Sequence, residues 1–235
     1  MQEIDQLLVA AGAQRELLAE VEGFPIYAYE YHVPRASRCY YLSSGMHGDE
    51  PAGPLALKRL IQSGVLESGD SWLICPVINP TGLAAGTREN FQGIDINRDY
   101  LKQSSVEARA HASWLCGKNI DVMFSLHEDW ESTGFYFYEI NQAGDMPERY
   151  QQICAAVEKV MEMEPELEID EHPVREKGWI YHGCEADEPK LWPEAIYVAE
   201  QGCQLSFTLE SPSSLDLELR VEAQLNAVRA ILDSF

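Results

Sequence analysis

The chain has 235 residues, with 39 Asp and Glu residues against 17 Lys and Arg residues, and a formal net charge of −22. A surface this acidic repels phosphates, so the composition excludes a nucleic-acid binder and argues against binding to an anionic membrane. Hydrophobic residues make up 46% of the chain, which is enough for a packed core and excludes a disordered protein. The length suits one domain, and we predict a single domain over residues 1–235.

The N-terminus and the spacing of the cysteines indicate in which cellular compartment the protein is expected. The first residues show no basic segment followed by an apolar stretch, so no secretion signal is expected. The longest apolar runs, such as 71–78, have the length of a strand and are too short to cross a membrane. Six cysteines are scattered without a C-x-x-C pair, and we expect most to be reduced core residues in a cytoplasmic protein. The sequence leaves the oligomeric state open, and a homo-oligomer is compatible with it.

Helical and strand patterns alternate along the chain. In chain order, the predicted elements are a helix (2–20), two strands (24–31 and 38–42), a helix (51–61), a strand (71–78), a helix (105–116), two strands (122–126 and 135–140), a helix (147–163), a strand (205–209) and a final helix (215–232). This alternation predicts an α/β sandwich around a mixed, largely parallel central sheet. Sites in such proteins form outside the strand ends, which is where the polar residues described next are expected.

Three residues suggest a metal site. His47 and Glu50 are spaced as H-x-x-E in a turn between a predicted strand and a predicted helix, and His127 ends the apolar strand 122–126. Each alone has an ordinary structural alternative, such as a core histidine or a capping carboxylate. Together they form a His-His-Glu set that leaves a coordination position open, as catalytic zinc sites do.

Further polar residues suit amide hydrolysis beside such a metal. Glu210 ends a predicted strand, where a general base would be rigidly held, although it could also be a capping carboxylate before the last helix. Arg88 and Arg98 lie in a loop rich in Gly and Asn. They could tie this loop down, or they could bind a carboxylate or stabilise an oxyanion.

Five motifs occur in a characteristic order. They are H-G-D-E-P (47–51), N-P-T-G (79–82), R-E-N-F-Q-G-I-D-I-N-R (88–98), S-L-H (125–127) and S-F-T-L-E (206–210). In this order the chain resembles the zinc metallocarboxypeptidase family over residues 43–211. The wider clan of that family includes the succinylglutamate desuccinylase and aspartoacylase deacylases and the murein peptide amidases. The resemblance implies a three-layer α/β/α sandwich.

The resemblance also implies roles around a metal. His47, Glu50 and His127 would hold one Zn²⁺ ion per chain. Asp95 would accept a hydrogen bond from His47 and orient its ring.

The remaining roles concern the substrate. The resemblance implies that Glu210 is the general base and that Arg88 stabilises the oxyanion. Asn97 and Arg98 would hold the free carboxylate of the substrate, and Tyr181 is the best candidate for the mobile tyrosine of the family.

We therefore expect a zinc-dependent metallocarboxypeptidase that hydrolyses the C-terminal amide bond of a small peptide, such as one derived from the cell wall. The alternative is an N-acyl amino acid deacylase, although that group has a further β-rich segment where this chain is expected to end in a helix. A binding protein that has lost catalysis is disfavoured because all four key residues are present.

Two departures from the family pattern concern specificity. Asp49 replaces an arginine that binds substrate in the digestive enzymes. The acidic pair Glu128 and Asp129 would favour a cationic substrate or hold a second cation, and the acidic loop 184–190 is expected where substrates are selected.

Overall fold

A computed structural model describes residues 2–144 and 146–235 of the chain. Eight strands form one sheet, and their order across it is β1 (Gln14–Val21), β2 (Phe24–Tyr31), β4 (Ser71–Cys75), β3 (Cys39–Ser44), β5 (Val122–Asp129), β10 (Leu205–Pro212), β6 (Tyr136–Asn141) and β9 (Trp179–His182). Strands β4, β3, β5 and β10 run parallel to one another. Strand β2 pairs antiparallel with β1 and with β4, and β6 pairs antiparallel with β10. Strands β7 (Glu168–Ile169) and β8 (His172–Pro173) form a separate hairpin. The predicted mixed, largely parallel sheet is confirmed.

Helices cover both faces of the sheet. They are α1 (Gln2–Ala10), α2 (Ala52–Gln62), α3 (Pro80–Ala85), α4 (Val106–Leu115), α5 (Pro147–Val157), α6 (Glu194–Glu200) and α7 (Leu217–Leu232). Side chains from α1, α2, α5 and α7 join one buried apolar cluster, and those from α4 and α6 join another. Strand β3 shows why two clusters form, because Tyr40 and Leu42 enter the first while Tyr41 enters the second. The predicted three-layer sandwich is confirmed, and none of the described helices is long and apolar enough to cross a membrane.

The predicted helix over residues 2–20 is wrong. Helix α1 ends at Ala10, and Gly12 then adopts a positive φ of 95°, which a helix cannot continue through. The following residues form β1, which pairs antiparallel with β2 through a tight turn at Glu22 and Gly23. Both turn residues have positive φ, the geometry of a two-residue hairpin. Strand β1 is at the sheet edge and mostly exposed, so it lacks the clear apolar alternation that would have distinguished it from a helix.

Other predicted elements shift in extent. The helix predicted over 147–163 ends at Val157, because residues near Met163 run beside Phe135 as an isolated bridge to the sheet. Helices α3 and α6 and strands β7, β8 and β9 were not predicted. All six cysteines are free, as expected, but only Cys75 and Cys203 are buried, so the prediction of mostly core cysteines is wrong.

Candidate metal and catalytic site

The three predicted metal ligands meet at the ends of two adjacent strands. His47 and Glu50 lie in the turn between β3 and α2, and His127 lies on β5, which pairs in parallel with β3. Glu50 Oε1 is 2.6 Å from His47 Nδ1, and Glu50 Oε2 is 2.9 Å from His127 Nδ1. One ligand atom from each residue lies within 4.8 Å of the others, and all three side chains are buried.

The hydrogen bonds of the two histidines fit a metal site. His47 Nε2 is 3.1 Å from Asp95 Oδ1, and His127 Nε2 is 3.0 Å from Ser125 Oγ. If these nitrogens donate, both Nδ1 lone pairs face the Glu50 carboxylate, so a buried set of acceptors converges. Two imidazoles and a carboxylate form the donor set of a catalytic zinc site.

Charges around the cluster keep Glu50 ionised. Burial alone would raise the pKa of Glu50, but the two histidines, in their protonated form, outweigh it and lower this pKa to about 2. Asp95 behaves similarly, because His47 and Arg88 lower its pKa despite burial. The arrangement therefore offers negative oxygen atoms at neutral pH, as a divalent cation requires.

Arg88 extends from the long loop towards the same cluster. Its Nη2 is 3.0 Å from Asp95 Oδ2, and its Nη1 is 3.6 Å from Glu50 Oε1 and 3.2 Å from His47 Nδ1. Asp95 also caps the short 3-10 helix Ile96–Arg98, because its side chain accepts a hydrogen bond from the main-chain N–H of Asn97. Asp95 thus positions both His47 and the guanidinium of Arg88.

Glu210 is next to the three predicted metal ligands. It lies on β10 directly opposite His127 of β5, and it lines the same cavity. Burial raises the pKa of Glu210 well above its usual value; His127 opposes this effect, and the Glu50 carboxylate adds to it. A carboxyl group of raised pKa beside a metal is suited to accept and return a proton.

Most of the predicted site residues line one cavity of about 520 Å³. Its walls include His47, Glu50, Arg88, Asn97, Arg98, His127 and Glu210. Asn97 Oδ1 accepts a hydrogen bond from the main-chain N–H of Glu194 at 2.9 Å, so the Nδ2 group of Asn97 points away from Glu194. Arg98 Nη1 donates to the carbonyl of Asn97 at 3.0 Å in an exposed position.

The structure does not bring Tyr181 to the cavity. Its hydroxyl donates to the main-chain carbonyl of Asn141 at 2.6 Å, and its ring packs edge-on against Trp179. Neighbouring residues of a strand face opposite sides of a sheet, so His182 lines the cavity instead. Tyr136 and Tyr138 of β6 also line it, and their period-two spacing was the sequence signal that could have indicated them.

Glu128 and Asp129 have different surroundings. Glu128 is buried, accepts the N–H of Ala52 at the start of α2 at 2.7 Å, and forms an ion pair with Arg220. Asp129 accepts hydrogen bonds from Tyr136 Oη at 3.2 Å and from a nearby main-chain N–H. The role of Glu128 is therefore structural, and this pair does not favour a second cation.

Sequence reasoning missed Glu194, a buried carboxylate behind the predicted metal ligands. Its oxygens accept hydrogen bonds from Tyr41 Oη at 2.5 Å, Ser43 Oγ at 2.7 Å and Ser125 Oγ at 3.0 Å. Because Ser125 also contacts His127 Nε2, Glu194 is linked to a predicted metal ligand through one hydroxyl. Burial raises the pKa of Glu194, although the three hydroxyls oppose this effect. In the sequence, Glu194 resembles an ordinary acidic residue at a helix start.

Comparisons with known proteins agree with this geometry. The family model described as "Succinylglutamate desuccinylase/Aspartoacylase catalytic domain" matches residues 36–230, which include His47, Glu50, His127 and Glu210. A search of curated proteins gives no match.

Solved structures share the fold. A "putative metallopeptidase" from Shewanella denitrificans has a TM-score of 0.86 and 25% identity, over 99% of this chain and 88% of that chain. A metallo-carboxypeptidase from Burkholderia cenocepacia has a TM-score of 0.73 and 19% identity, over 100% and 68%. The cell shape determinant protein Csd4 from Helicobacter pylori has a TM-score of 0.60 and 17% identity, over 89% and 54%. The chain is therefore a hydrolase that belongs to the zinc carboxypeptidase-like family of succinylglutamate desuccinylase and aspartoacylase catalytic domains.

Proposed function

We propose that this chain is a zinc-dependent carboxypeptidase that releases the C-terminal residue of a small peptide. The observation that carries the proposal is the placement of Glu210 opposite His127, in a cavity that also presents Asn97 and Arg98. The proposed proton acceptor, the proposed metal ligands and the proposed carboxylate-binding pair would thus share one cavity.

His47, Glu50 and His127 would hold the ion. A bound Zn²⁺ ion would supply Lewis acidity, which polarises a substrate carbonyl and acidifies water. Arg88, fixed by Asp95, would donate hydrogen bonds to the carbonyl oxygen as negative charge develops there.

Glu210 moves the proton. It would take a proton from the attacking water as the new C–O bond forms. It would then give that proton to the amide nitrogen as the C–N bond breaks, so the products are a carboxylic acid and an amine. The Nδ2 group of Asn97 and the guanidinium of Arg98 would hold the terminal carboxylate of the substrate.

The charge of the cavity wall indicates which kind of substrate the cavity would bind. Two arginines, Arg88 and Arg98, face five acidic residues that take no part in the proposed metal binding and proton transfer, which are Asp129, Glu131, Asp170, Glu171 and Glu188. Such a wall attracts a cationic group and repels a second carboxylate. We infer that the substrate carries one free carboxylate and a positive charge.

The second candidate is an N-acyl amino acid deacylase, which the family match favours. Substrates such as N-succinylglutamate carry several carboxylates, and the acidic wall would repel them. A panel separates the two functions: a lysine-containing tripeptide, its C-terminal amide, N-succinylglutamate and N-acetylaspartate, each with Zn²⁺ supplied. We expect release of the C-terminal residue from the free-acid tripeptide alone. Turnover of only the N-acyl compounds would replace the peptidase proposal with the deacylase.

A further inference from the structure

A second cluster of potential metal ligands lies on another wall of the same cavity. His172 comes from β8, His182 ends β9, and Asp187 lies in the loop that follows. His172 Nε2 is 3.3 Å from Asp187 Oδ2, and His182 Nε2 is 3.2 Å from Asp187 Oδ1. One ligand atom from each residue lies within 4.8 Å of the others. None of these residues belongs to the His47 cluster.

The hydrogen bond of His182 defines what its second nitrogen can do. Nδ1 is 2.5 Å from the carbonyl oxygen of Gly183, which can only accept, so Nδ1 carries the hydrogen. In the neutral ring, the lone pair of Nε2 then faces an oxygen of Asp187. Two acceptors at this distance need a cation or an added proton between them. His47 shows the same arrangement, with Asp95 on one nitrogen and Glu50 facing the other.

Packing holds the two imidazoles in place. Their ring centroids are 4.9 Å apart, and both rings lie edge-on to Tyr138, at 5.7 Å for His172 and 6.0 Å for His182. The Tyr138 hydroxyl in turn donates to Asp170 at 2.8 Å. The side chain of His182 is only 12% exposed and that of His172 only 22%, so both nitrogens face the protein more than bulk water. The donors are therefore positioned before any ligand arrives.

We propose that His172, His182 and Asp187 bind a second metal ion of the zinc class, separate from the ion held by His47, Glu50 and His127. Two imidazoles and a carboxylate favour Zn²⁺ and neighbouring transition metals over Mg²⁺ and Ca²⁺, which prefer oxygen ligands. Acidic Asp170 and Glu171 line the same wall and add to the attraction for a cation.

The ion would join three segments that the sheet does not hold together directly. Its ligands come from the β7–β8 hairpin, the end of β9 and the loop before α6. Because Asp187 is the exposed member, with 64% of its side chain accessible, the ion would restrain this loop at the mouth of the cavity. Lys190 is an exposed trypsin site in the same loop and can report on that restraint.

Metal counting tests the proposal. The metal-free protein is equilibrated with Zn²⁺ or Co²⁺ alone, and bound metal is measured by mass spectrometry after dialysis. We expect two equivalents in the wild type, one in His172→Ala/His182→Ala, and two in the control His32→Ala, which removes an exposed histidine. A wild type that binds one equivalent, or a double variant that binds as much as the wild type, would overturn the second site.

Asp187→Ala provides a second test in case the double variant does not fold. Asp187 is exposed, so its replacement should leave the fold intact. We expect the affinity for the second equivalent to fall at least tenfold, and Zn²⁺ to protect the Lys190 site from trypsin in the wild type but not in this variant. Identical titrations of the two proteins would contradict the proposal.

This outcome is separable from the peptidase proposal. His47→Ala/His127→Ala should abolish the first equivalent and keep the second. A wild type that binds two equivalents but has no peptidase activity would overturn the peptidase proposal alone, and an active wild type that binds one equivalent would overturn the second site alone.

Discussion

Glu210 and His127 are direct partners on the adjacent parallel strands β10 and β5. Residues paired in this way project from the sheet at the same level and on the same side. The proposed proton acceptor is therefore fixed beside a proposed metal ligand by two hydrogen-bonded strands, rather than by a loop. Rigid placement of this kind is what general base catalysis requires.

Replacement of Glu210 by Gln should separate catalysis from metal binding. Gln has nearly the same size but cannot accept a proton, so we expect kcat to fall by about 10²–10⁴-fold. Metal stoichiometry should stay unchanged, because Glu210 is not in the His47 cluster. Steady-state kinetics and metal analysis on the same preparation check both expectations.

The matched control is Glu200→Gln, which makes the same change at an exposed position at the end of α6. Glu200→Gln should leave kcat near the wild-type value. Full activity in Glu210→Gln would exclude Glu210 as the general base.

Asp95→Asn should weaken metal binding. The carboxylate accepts the Nε2–H of His47 and holds Arg88, and an amide would lose the charge that strengthens His47 as a ligand. Loss of such supporting residues typically costs 10–100-fold in metal affinity. Competition with a zinc chelator measures the change. Asp49→Asn alters an exposed carboxylate in the His47 turn, and equal affinities for the two variants would contradict the role of Asp95.

Arg98→Ala should raise KM for peptides with a free C-terminal carboxylate. A hydrogen bond to a charged group is worth about 1.5–3 kcal/mol, so an increase of about 10–100-fold is expected. The difference from wild type should vanish on a C-terminally amidated peptide. Arg109→Ala is the control, since Arg109 is exposed and its guanidinium bonds a main-chain carbonyl outside the cavity. An unchanged KM in Arg98→Ala would remove the carboxylate-binding role.

Local sequence signals were enough to indicate where several site residues lie. His47 and Glu50 share one turn, and His127 and Glu210 each follow a short apolar run within a strand, so parallel pairing brings them together. Tyr181 does not line the cavity, because a strand alternates its faces and a shift of one residue moves a side chain to the other side.

The buried network could not be read from the sequence at all. Glu194 lies 153 residues from Tyr41 and 69 residues from Ser125, and only the fold makes them neighbours. The edge strand β1 was missed because an exposed strand carries little apolar pattern. Long-range packing, rather than local propensity, decided both cases.

Gly48→Ala should disrupt the turn that carries His47. A Cβ atom at Gly48 would lie 1.8 Å from the carbonyl carbon of Gly82 and 2.2 Å from the main-chain N of Leu83, so a backbone segment must move. Forced overpacking of this kind costs about 1–3 kcal/mol or more. Urea denaturation should show the loss, with weaker metal binding. In the control Gly183→Ala, the new Cβ meets nothing nearer than 4.0 Å, and a comparable loss there would contradict the steric argument.

His111 should make the fold sensitive to acid. The imidazole is buried between the hydroxyls of Tyr41 (2.8 Å) and Tyr100 (2.6 Å), and burial lowers the pKa of His111 from 6.5 to about 3. Between these two values the unfolded chain binds a proton that the folded protein does not. The free energy of unfolding should therefore fall by about 1.4 kcal/mol for each pH unit of acidification in this window.

His111→Gln removes the titrating group, so the denaturation midpoints of this variant should depend less steeply on pH, even if the variant is less stable at neutral pH. His32→Gln, at an exposed position, should keep the wild-type slope. Equal slopes for the wild type and His111→Gln would show that the folded protein binds this proton as readily as the unfolded chain.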